Sequence, residues 1–224
     1  MRTLGSIILL LLAAILTLVH ATCPTPNWDM PQSWQIPSVN YNYPTPDPPP
    51  PYLTNVSIAS LGIEDDIVSA FNEWTSANQM NGTNVGFYAA GSNGPGRVYA
   101  YRVNSPGVPN EDPGKAAYTY VDLYEGTRTI AFVSIELYLG SINSVGGYAD
   151  YDESADNYHT FIKKVMLHEI GHSMDLYEQP VVDGAQCAGQ VAGESVMNVQ
   201  CGTNDTAANM PTVVTACDNA SAHY

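Results

Sequence analysis

The stretch His168-Glu169-Ile170-Gly171-His172 decides how this chain is interpreted. On a helix, residues four positions apart share one face, so both imidazoles can reach a single Zn²⁺ ion. Glu169 follows the first histidine directly, and its carboxylate could take a proton from a water that the metal activates. The stretch predicts a zinc helix with His168 and His172 as ligands and Glu169 as general base. Two unconnected helix histidines are the alternative.

The surrounding sequence predicts an α+β domain. Apolar residues recur at helical spacing over 58–79, which indicates a long first helix. Segments rich in Tyr, Val, Ile and Thr, separated by Gly, Pro and Asn, then predict four strands: 85–90, 97–103, 116–123 and 129–137. A second helix is expected over 157–175, followed by a mostly irregular tail. This order of helix, strands and helix is typical of the α+β class.

The N-terminus indicates export. Arg2 precedes an apolar run over 7–19, and Val19-His20-Ala21 supplies the small or apolar residues that a signal peptidase reads. We expect a cleaved signal peptide at 1–21 and a secreted mature chain, with an uncleaved membrane anchor as the alternative. Because no other segment is long and apolar enough to span a bilayer, no membrane partner is expected after signal removal.

A proline-dominated segment, 22–53, separates this signal from the expected domain at 54–224. Proline lacks a backbone N–H and favours the extended polyproline II conformation. The segment is therefore expected to be a linker, a strap over the domain or a short pro-segment. Trp28 and Trp34 indicate that part of it packs against the domain.

Composition limits the partners. Only 13% of the residues are charged, against roughly a quarter in average globular chains. Acidic residues outnumber basic ones 22 to 7, and the net charge of −15 argues against nucleic acids and anionic membranes as partners. An even number of cysteines in an exported chain predicts two disulfides, with three possible pairings. The four are Cys23, Cys187, Cys201 and Cys217.

Three motifs resemble the metzincin zinc metalloendopeptidases, and the matrixin branch in particular. Residues 168–174 (HEIGHSM) resemble the zinc helix, residues 193–198 (GESVMN) the Met-turn beneath the metal, and residues 71–74 (FNEW) the long first helix. The resemblance covers the chain from about Ser57 onward. It implies a two-lobed domain with a mixed twisted sheet, a substrate cleft above the zinc helix and a short, mostly irregular C-terminal lobe. It also implies that Met197 supports the site from below.

The chain departs from the family pattern H-E-x-x-H-x-x-G-x-x-H at two positions. Asp175 stands at the glycine and Glu178 at the third histidine. Aspartate is among the few non-glycine residues that tolerate a positive φ, and carboxylate oxygens bind Zn²⁺ at about 2.0–2.2 Å. If the helix continued, Asp175 would lie ~7 Å along its axis from the metal at 1.5 Å per residue. We therefore expect Glu178 to be the third ligand, with water, a displaced Asp175 or a remote residue as alternatives.

Two further metal-related features have simpler interpretations. Asp150, Asp152, Glu153 and Asp156 could bind structural Ca²⁺, but their spacing favours solvated charge with a helix N-cap. Cys23 could act as the thiolate that blocks zinc in matrixin pro-segments, but its neighbours differ from that motif and a disulfide is favoured.

The sequence thus predicts a secreted zinc-dependent endopeptidase that hydrolyses polypeptide substrates through a zinc-activated water, with Glu169 as general base. The alternative is a degenerate metzincin, an exported binding or surface module with little or no catalysis. The replacements at Asp175 and Glu178 favour that alternative, whereas the intact Glu169 favours the enzyme. The oligomeric state is not indicated.

Overall fold

The computed structural model describes residues 33–44, 53–81, 85–89, 94–103, 116–139, 158–176, 195–197, 211–216 and 218. The elements, in chain order, are β1 (Ser38–Asn42), β2 (Leu53–Val56), α1 (Ile58–Leu61), α2 (Glu64–Asn81), β3 (Gly86–Ala89), β4 (Gly96–Val103), β5 (Ala117–Leu123), β6 (Ile130–Leu139) and α3 (Tyr158–His172). Among the described residues, no helix is both long enough and apolar enough to cross a bilayer.

The strands form one mixed sheet in the order β3-β1-β4-β6-β5, with β2 paired to β4. Strand β1 runs parallel to β3 and β4, and β4 runs parallel to β6. Strands β2 and β5 are antiparallel to their neighbours β4 and β6. The predicted α+β class with a mixed sheet is therefore confirmed. The bounds of β3, β4, β5 and β6 differ from those of the four predicted strands by at most two residues at each end, whereas β1 and β2 were not predicted.

The sheet begins earlier in the chain than the expected domain boundary at 54. Strand β1 lies inside the proline-dominated segment and pairs with two other strands. No proline occurs between Pro37 and Pro44, so each residue of β1 keeps its backbone N–H. Val39 and Tyr41 alternate with exposed neighbours and are fully buried. The described part of this segment thus contributes to the core.

The prediction of one continuous helix over 58–79 is wrong. Ser57 caps α1, and the helix ends at Gly62, whose φ of 69° is left-handed. Glycine adopts this conformation without steric cost, so it stops helices readily. Helix α2 then starts at Glu64. Its first turn carries three acidic residues, whose negative charges interact favourably with the positive end of the helix dipole.

The two long helices share one core with the inner face of the sheet. This core includes Phe71 and Trp74 of α2, Ile135 of β6, and Met166 and Ile170 of α3, all fully buried. The indole Nε1 of Trp74 also donates a hydrogen bond to the Leu167 carbonyl oxygen at 2.8 Å. Packing of α2 against α3 therefore fixes the helix turn from which the candidate ligands project.

Candidate metal centre

Helix α3 brings His168 and His172 together at its C-terminal end. Their ring centroids lie 4.6 Å apart with an interplanar angle of 88°. The two Nε2 atoms face each other at 3.0 Å. The predicted i, i+4 pairing therefore yields two imidazoles that converge on one point.

Backbone carbonyls fix the tautomer of each histidine. His168 Nδ1 lies 2.8 Å from the Val196 carbonyl oxygen, and His172 Nδ1 lies 2.9 Å from that of Leu176. A carbonyl oxygen only accepts hydrogen bonds, so each Nδ1 carries the hydrogen. A neutral ring in this tautomer presents the lone pair of Nε2 to the other ring. Hydrogen bonding of the second nitrogen to a carbonyl is the usual arrangement for histidines that bind metals.

Two lone pairs at 3.0 Å repel each other unless a cation or a proton lies between them. In a tetrahedral zinc site with Zn–N distances of about 2.0–2.1 Å, two ligand nitrogens are about 3.3 Å apart. The observed separation is close to that value. The donor set therefore fits zinc, and a small outward rotation of either ring would bring the nitrogens to the tetrahedral spacing.

The third predicted ligand, Glu178, lies outside the described residues. Within the described part of the chain, no third His, Cys, Asp or Glu joins the two histidines. The acidic cluster over 150–156, the four cysteines and His223 also lie outside it. His159, at the start of α3, has a side chain that is 62% exposed, and its Nδ1 contacts Asp66 Oδ2 at 2.6 Å. It lies away from the site.

Asp175 ends helix α3 in the manner of a glycine. Its φ is 64°, which confirms that aspartate takes the left-handed conformation at this position. The Asp175 N–H donates to the His172 carbonyl and the Leu176 N–H to the Gly171 carbonyl, at 2.9 and 3.2 Å. This pair of bonds is a Schellman motif. The turn reverses the chain so that the Leu176 carbonyl oxygen meets His172 Nδ1.

Glu169 occupies a buried position between α3 and the sheet. Only 6% of the residue is exposed. The Thr119 hydroxyl of β5 donates to Glu169 Oε2 at 2.6 Å, and Thr119 Oγ1 also lies 3.1 Å from the Glu169 carbonyl oxygen. The candidate base is thus held by the strand at the end of the sheet order. Sequence reasoning missed Thr119.

Residues 195–197 form a floor beneath the helix. Val196 and Met197 are fully buried, and Met197 Sδ contacts the Cα side of Gly171, where any Cβ would overlap it. The Val196 carbonyl accepts from His168. The predicted position of Met197 below the helix agrees with this packing, and a Cβ on Gly171 would force the end of the Met197 side chain to move.

Asp218 anchors this floor and was also missed by sequence reasoning. Its buried carboxylate accepts hydrogen bonds from the Ser195 hydroxyl and from the Val196 N–H. It also accepts from the Thr215 N–H at 2.9 Å, and its own N–H donates to Thr215 Oγ1 at 3.3 Å. The reciprocal pair with Thr215 is a capping box. The spacing Thr-x-x-Asp over 215–218 is the sequence signal that could have revealed it.

The N-terminal segment supports the same helix end. The Nε1 atom of Trp34 donates to the Ser173 carbonyl oxygen at 2.9 Å, and the Ser173 hydroxyl donates to the Ile170 carbonyl oxygen at 2.6 Å. Trp34 is 9% exposed. The sequence-based expectation that part of the proline-rich segment packs down holds for this tryptophan, and it packs next to the candidate ligands.

No protein-family model matches this chain, and no curated protein matches it. Among solved structures, the one titled "GM1 bound form of the ECX AB5 holotoxin" resembles it with a TM-score of 0.46 and 12% sequence identity. The match covers 83% of this chain and 78% of that chain. At that TM-score the likeness indicates neither the family nor the activity of this chain.

Proposed function

We propose that this chain is a secreted zinc-dependent endopeptidase of the metzincin type. The observation that carries the proposal is the 3.0 Å separation of the Nε2 atoms of His168 and His172, with both Nδ1 atoms held by backbone carbonyls. The buried carboxylate of Glu169 follows the first of these histidines on the same helix. Together these groups form part of a metal site with a base beside it, which is the arrangement needed for metal-assisted hydrolysis.

The order and packing of the elements support the metzincin type. A long first helix, a mixed sheet and a helix that carries the histidines occur in the order that the sequence resemblance implies. Residues 195–197 lie under the helix where the resemblance expects the Met-turn. Asp175 replaces a glycine yet keeps the backbone conformation of one. This last feature weakens the argument for a degenerate, non-catalytic module.

The roles of the residues follow from their positions. His168 and His172 would hold zinc through Nε2, with Glu178 as the proposed third ligand. Zinc, when bound, lowers the pKa of a water and polarises the carbonyl of the peptide bond that is cleaved. Glu169 accepts the proton of that water and returns it to the amine nitrogen as the C–N bond breaks. Strand β5, at the end of the sheet order, offers an edge along which an extended polypeptide could pair.

The first experiment measures zinc content and cleavage of denatured casein by the purified mature chain. We expect about one zinc per chain, loss of zinc and activity on chelation, and loss of zinc in His168→Ala and His172→Ala. His159→Ala is the matched control, since it removes an exposed histidine from the same helix, and it should keep both. Full zinc occupancy in both ligand variants would show that the metal site lies elsewhere.

The second experiment separates the enzyme from the degenerate alternative. Glu169→Gln should keep zinc and fold but lose about 10²- to 10⁴-fold in kcat, the usual contribution of positioned proton transfer. Glu73→Gln, which alters a carboxylate of α2 that pairs with Lys163, should leave kcat unchanged. A wild-type protein that binds zinc but cleaves no peptide would instead support the binding module.

The third experiment identifies the carboxylate ligand. Glu178→Ala should weaken zinc binding clearly, because only two protein ligands would remain. Asp175→Ala should retain the metal, since this residue serves the turn after the helix. Glu178→His should be tolerated and should raise activity by making the zinc a stronger Lewis acid. Loss of metal in Asp175→Ala, together with retention in Glu178→Ala, would show that the wrong carboxylate was chosen.

A further inference from the structure

Thr119 occupies a position of β5 that faces the core. The register pairs it with Ile135 of β6, and its neighbours on the same face, Ala117 and Val121, pair with Leu137 and Val133. All three β6 partners are buried apolar residues. A threonine on such a face needs a hydrogen-bond partner for its hydroxyl, because burying an unpaired hydroxyl is unfavourable.

The partner of that hydroxyl is the candidate base. Thr119 Oγ1 lies 2.6 Å from Glu169 Oε2 and 3.1 Å from the Glu169 carbonyl oxygen. A threonine hydroxyl has one hydrogen to donate. The contact with the carboxylate oxygen is the shorter of the two by 0.5 Å and lies at the usual length of a strong O–H···O hydrogen bond. The hydroxyl therefore donates to Oε2.

We propose that Thr119 is the positioning residue for Glu169, an inference that rests on the proposed peptidase function. Its hydroxyl engages Oε2, so that Oε1 is the oxygen that takes the proton of the reacting water. It also restrains the rotation of a side chain with three rotatable bonds. Because Thr119 lies on the strand at the end of the sheet order, it ties the base to the strand that borders the zinc helix.

The test compares Thr119→Val with Thr119→Ser. Valine keeps the shape but lacks the hydroxyl, whereas serine keeps the hydroxyl. We expect Thr119→Val to lower kcat about 10- to 100-fold, as is typical for the loss of a residue that orients a catalytic group, with KM and zinc content unchanged. Thr119→Ser should recover kcat to within a few-fold of wild type. Unchanged kcat in Thr119→Val would overturn the proposal.

Thr75→Val is the matched control for loss of a buried hydroxyl. Thr75 Oγ1 donates to the Phe87 carbonyl oxygen at 3.0 Å and accepts from the Phe87 N–H at 2.8 Å, between α2 and β3. This variant should lower the melting temperature while leaving kcat of the folded protein unchanged. An equal loss of kcat in both valine variants would show that Thr119 matters only through stability, which would overturn its positioning role.

A double-mutant cycle with Glu169→Gln provides the sharper readout. If Thr119 acts through Glu169, then Thr119→Val should change kcat less than twofold once Glu169 is glutamine. If the fold-losses in kcat of the two single variants instead multiply in the double variant, Thr119 does not act through Glu169 and the proposal is overturned. If wild type and Glu169→Gln are equally inactive, the proposed function fails. In that case the positioning role is tested by comparing the position of the Glu169 carboxylate in crystal structures of wild type and Thr119→Val. A carboxylate in the same position in both would overturn the positioning role.

Discussion

Asp175 determines where helix α3 stops, and its backbone conformation is the property that matters. At a φ of 64°, a residue with a Cβ is strained by about 1 kcal/mol, except that Asn and Asp relieve part of this cost with local hydrogen bonds. We expect Asp175→Gly and Asp175→Asn to keep the free energy of unfolding within about 0.5 kcal/mol of wild type. Asp175→Ala should lower it by about 1 kcal/mol. Urea titration measures all three.

The same three variants separate the effect of the backbone conformation at position 175 on stability from the effect of the Asp175 carboxylate. Glycine removes the carboxylate but suits the turn, whereas alanine removes the carboxylate and strains the turn. If Asp175→Gly were as unstable as Asp175→Ala, the contacts of the buried carboxylate, and not φ, would account for the stability of this turn.

Local sequence patterns predicted those site residues whose roles depend on helical spacing. His168, Glu169 and His172 follow from the i, i+4 rule, and Asp175 from the family pattern. The Thr-x-x-Asp spacing indicates only the local capping box of Asp218. The contacts of Thr119 with Glu169 and of Asp218 with Val196 could not be predicted from spacing, because the partners are 50 and 22 residues apart. Only the packing of β5 and of the C-terminal segment against α3 brings these residues to the site.

At the scale of elements, Asp218 connects the C-terminal segment to the floor of the site. Its carboxylate accepts from the Ser195 hydroxyl, from two backbone N–H groups and from the Thr215 hydroxyl. Asp218→Ala would leave two buried donors, the Ser195 hydroxyl and the Val196 N–H, without this acceptor, and each such loss costs about 1–3 kcal/mol. We expect the free energy of unfolding to fall by at least about 2 kcal/mol, as measured by denaturant titration, with Asp65→Ala, at an exposed position of α2, as the control.

Asp218→Ala should also weaken zinc binding, although Asp218 is no ligand. It fixes the Val196 N–H, and the carbonyl of the same residue fixes the tautomer of His168. Competition with a chromogenic chelator would measure the change, which for outer partners of a metal site is typically about 10- to 100-fold. A destabilised variant with wild-type zinc affinity would contradict this coupling between the floor and the ligand.

A carboxyl group on the outer face of the sheet, that of Glu136, should make the stability of the fold depend on pH. Glu136 pairs in register with Tyr99 and Tyr118, and Tyr138 donates its hydroxyl to Glu136 Oε2 at 2.5 Å. Burial raises the pKa of the Glu136 carboxyl above its ordinary value of 4.5, although the Tyr138 hydrogen bond opposes the shift. The folded state then binds the proton more tightly than the unfolded state. Stability that is present below pH 4.5 is therefore lost as the pH rises through the folded pKa.

Glu136→Gln should remove this contribution, because glutamine accepts the Tyr138 hydrogen bond without ionising. We expect the free energy of unfolding of the variant to fall less between pH 4 and pH 7 than that of wild type. Glu125→Gln, at an exposed position in the turn after β5, is the control and should follow wild type. If the free energy of unfolding of Glu136→Gln and of Glu125→Gln changed equally with pH, ionisation of Glu136 would not destabilise the folded state.

The elements themselves were predictable where periodicity was long and strong. Strands β4, β5 and β6 and helix α3 follow from their apolar patterns. The break at Gly62 was missed because apolar spacing continues through it, and only the left-handed cap reveals the end of α1. Strand β1 was missed because prolines on both sides dominate the local composition, while its five residues gain their partners from distant strands. Pairing of this kind depends on the tertiary fold, which local patterns do not encode.

At the scale of the whole molecule, zinc should stabilise the fold, because the two candidate ligands His168 and His172 converge only when α3 is folded. Zinc at 100 times its Kd would add about 2.7 kcal/mol, which corresponds to a rise in melting temperature of about 5–10 °C for a chain of this size. His172→Ala should abolish the rise and His159→Ala should keep it. The net charge of −15 also attracts divalent cations nonspecifically, so Mg²⁺ at equal concentration is the second control. An equal rise with Mg²⁺, or in His172→Ala, would mean that surface charge and not the histidine pair binds the metal.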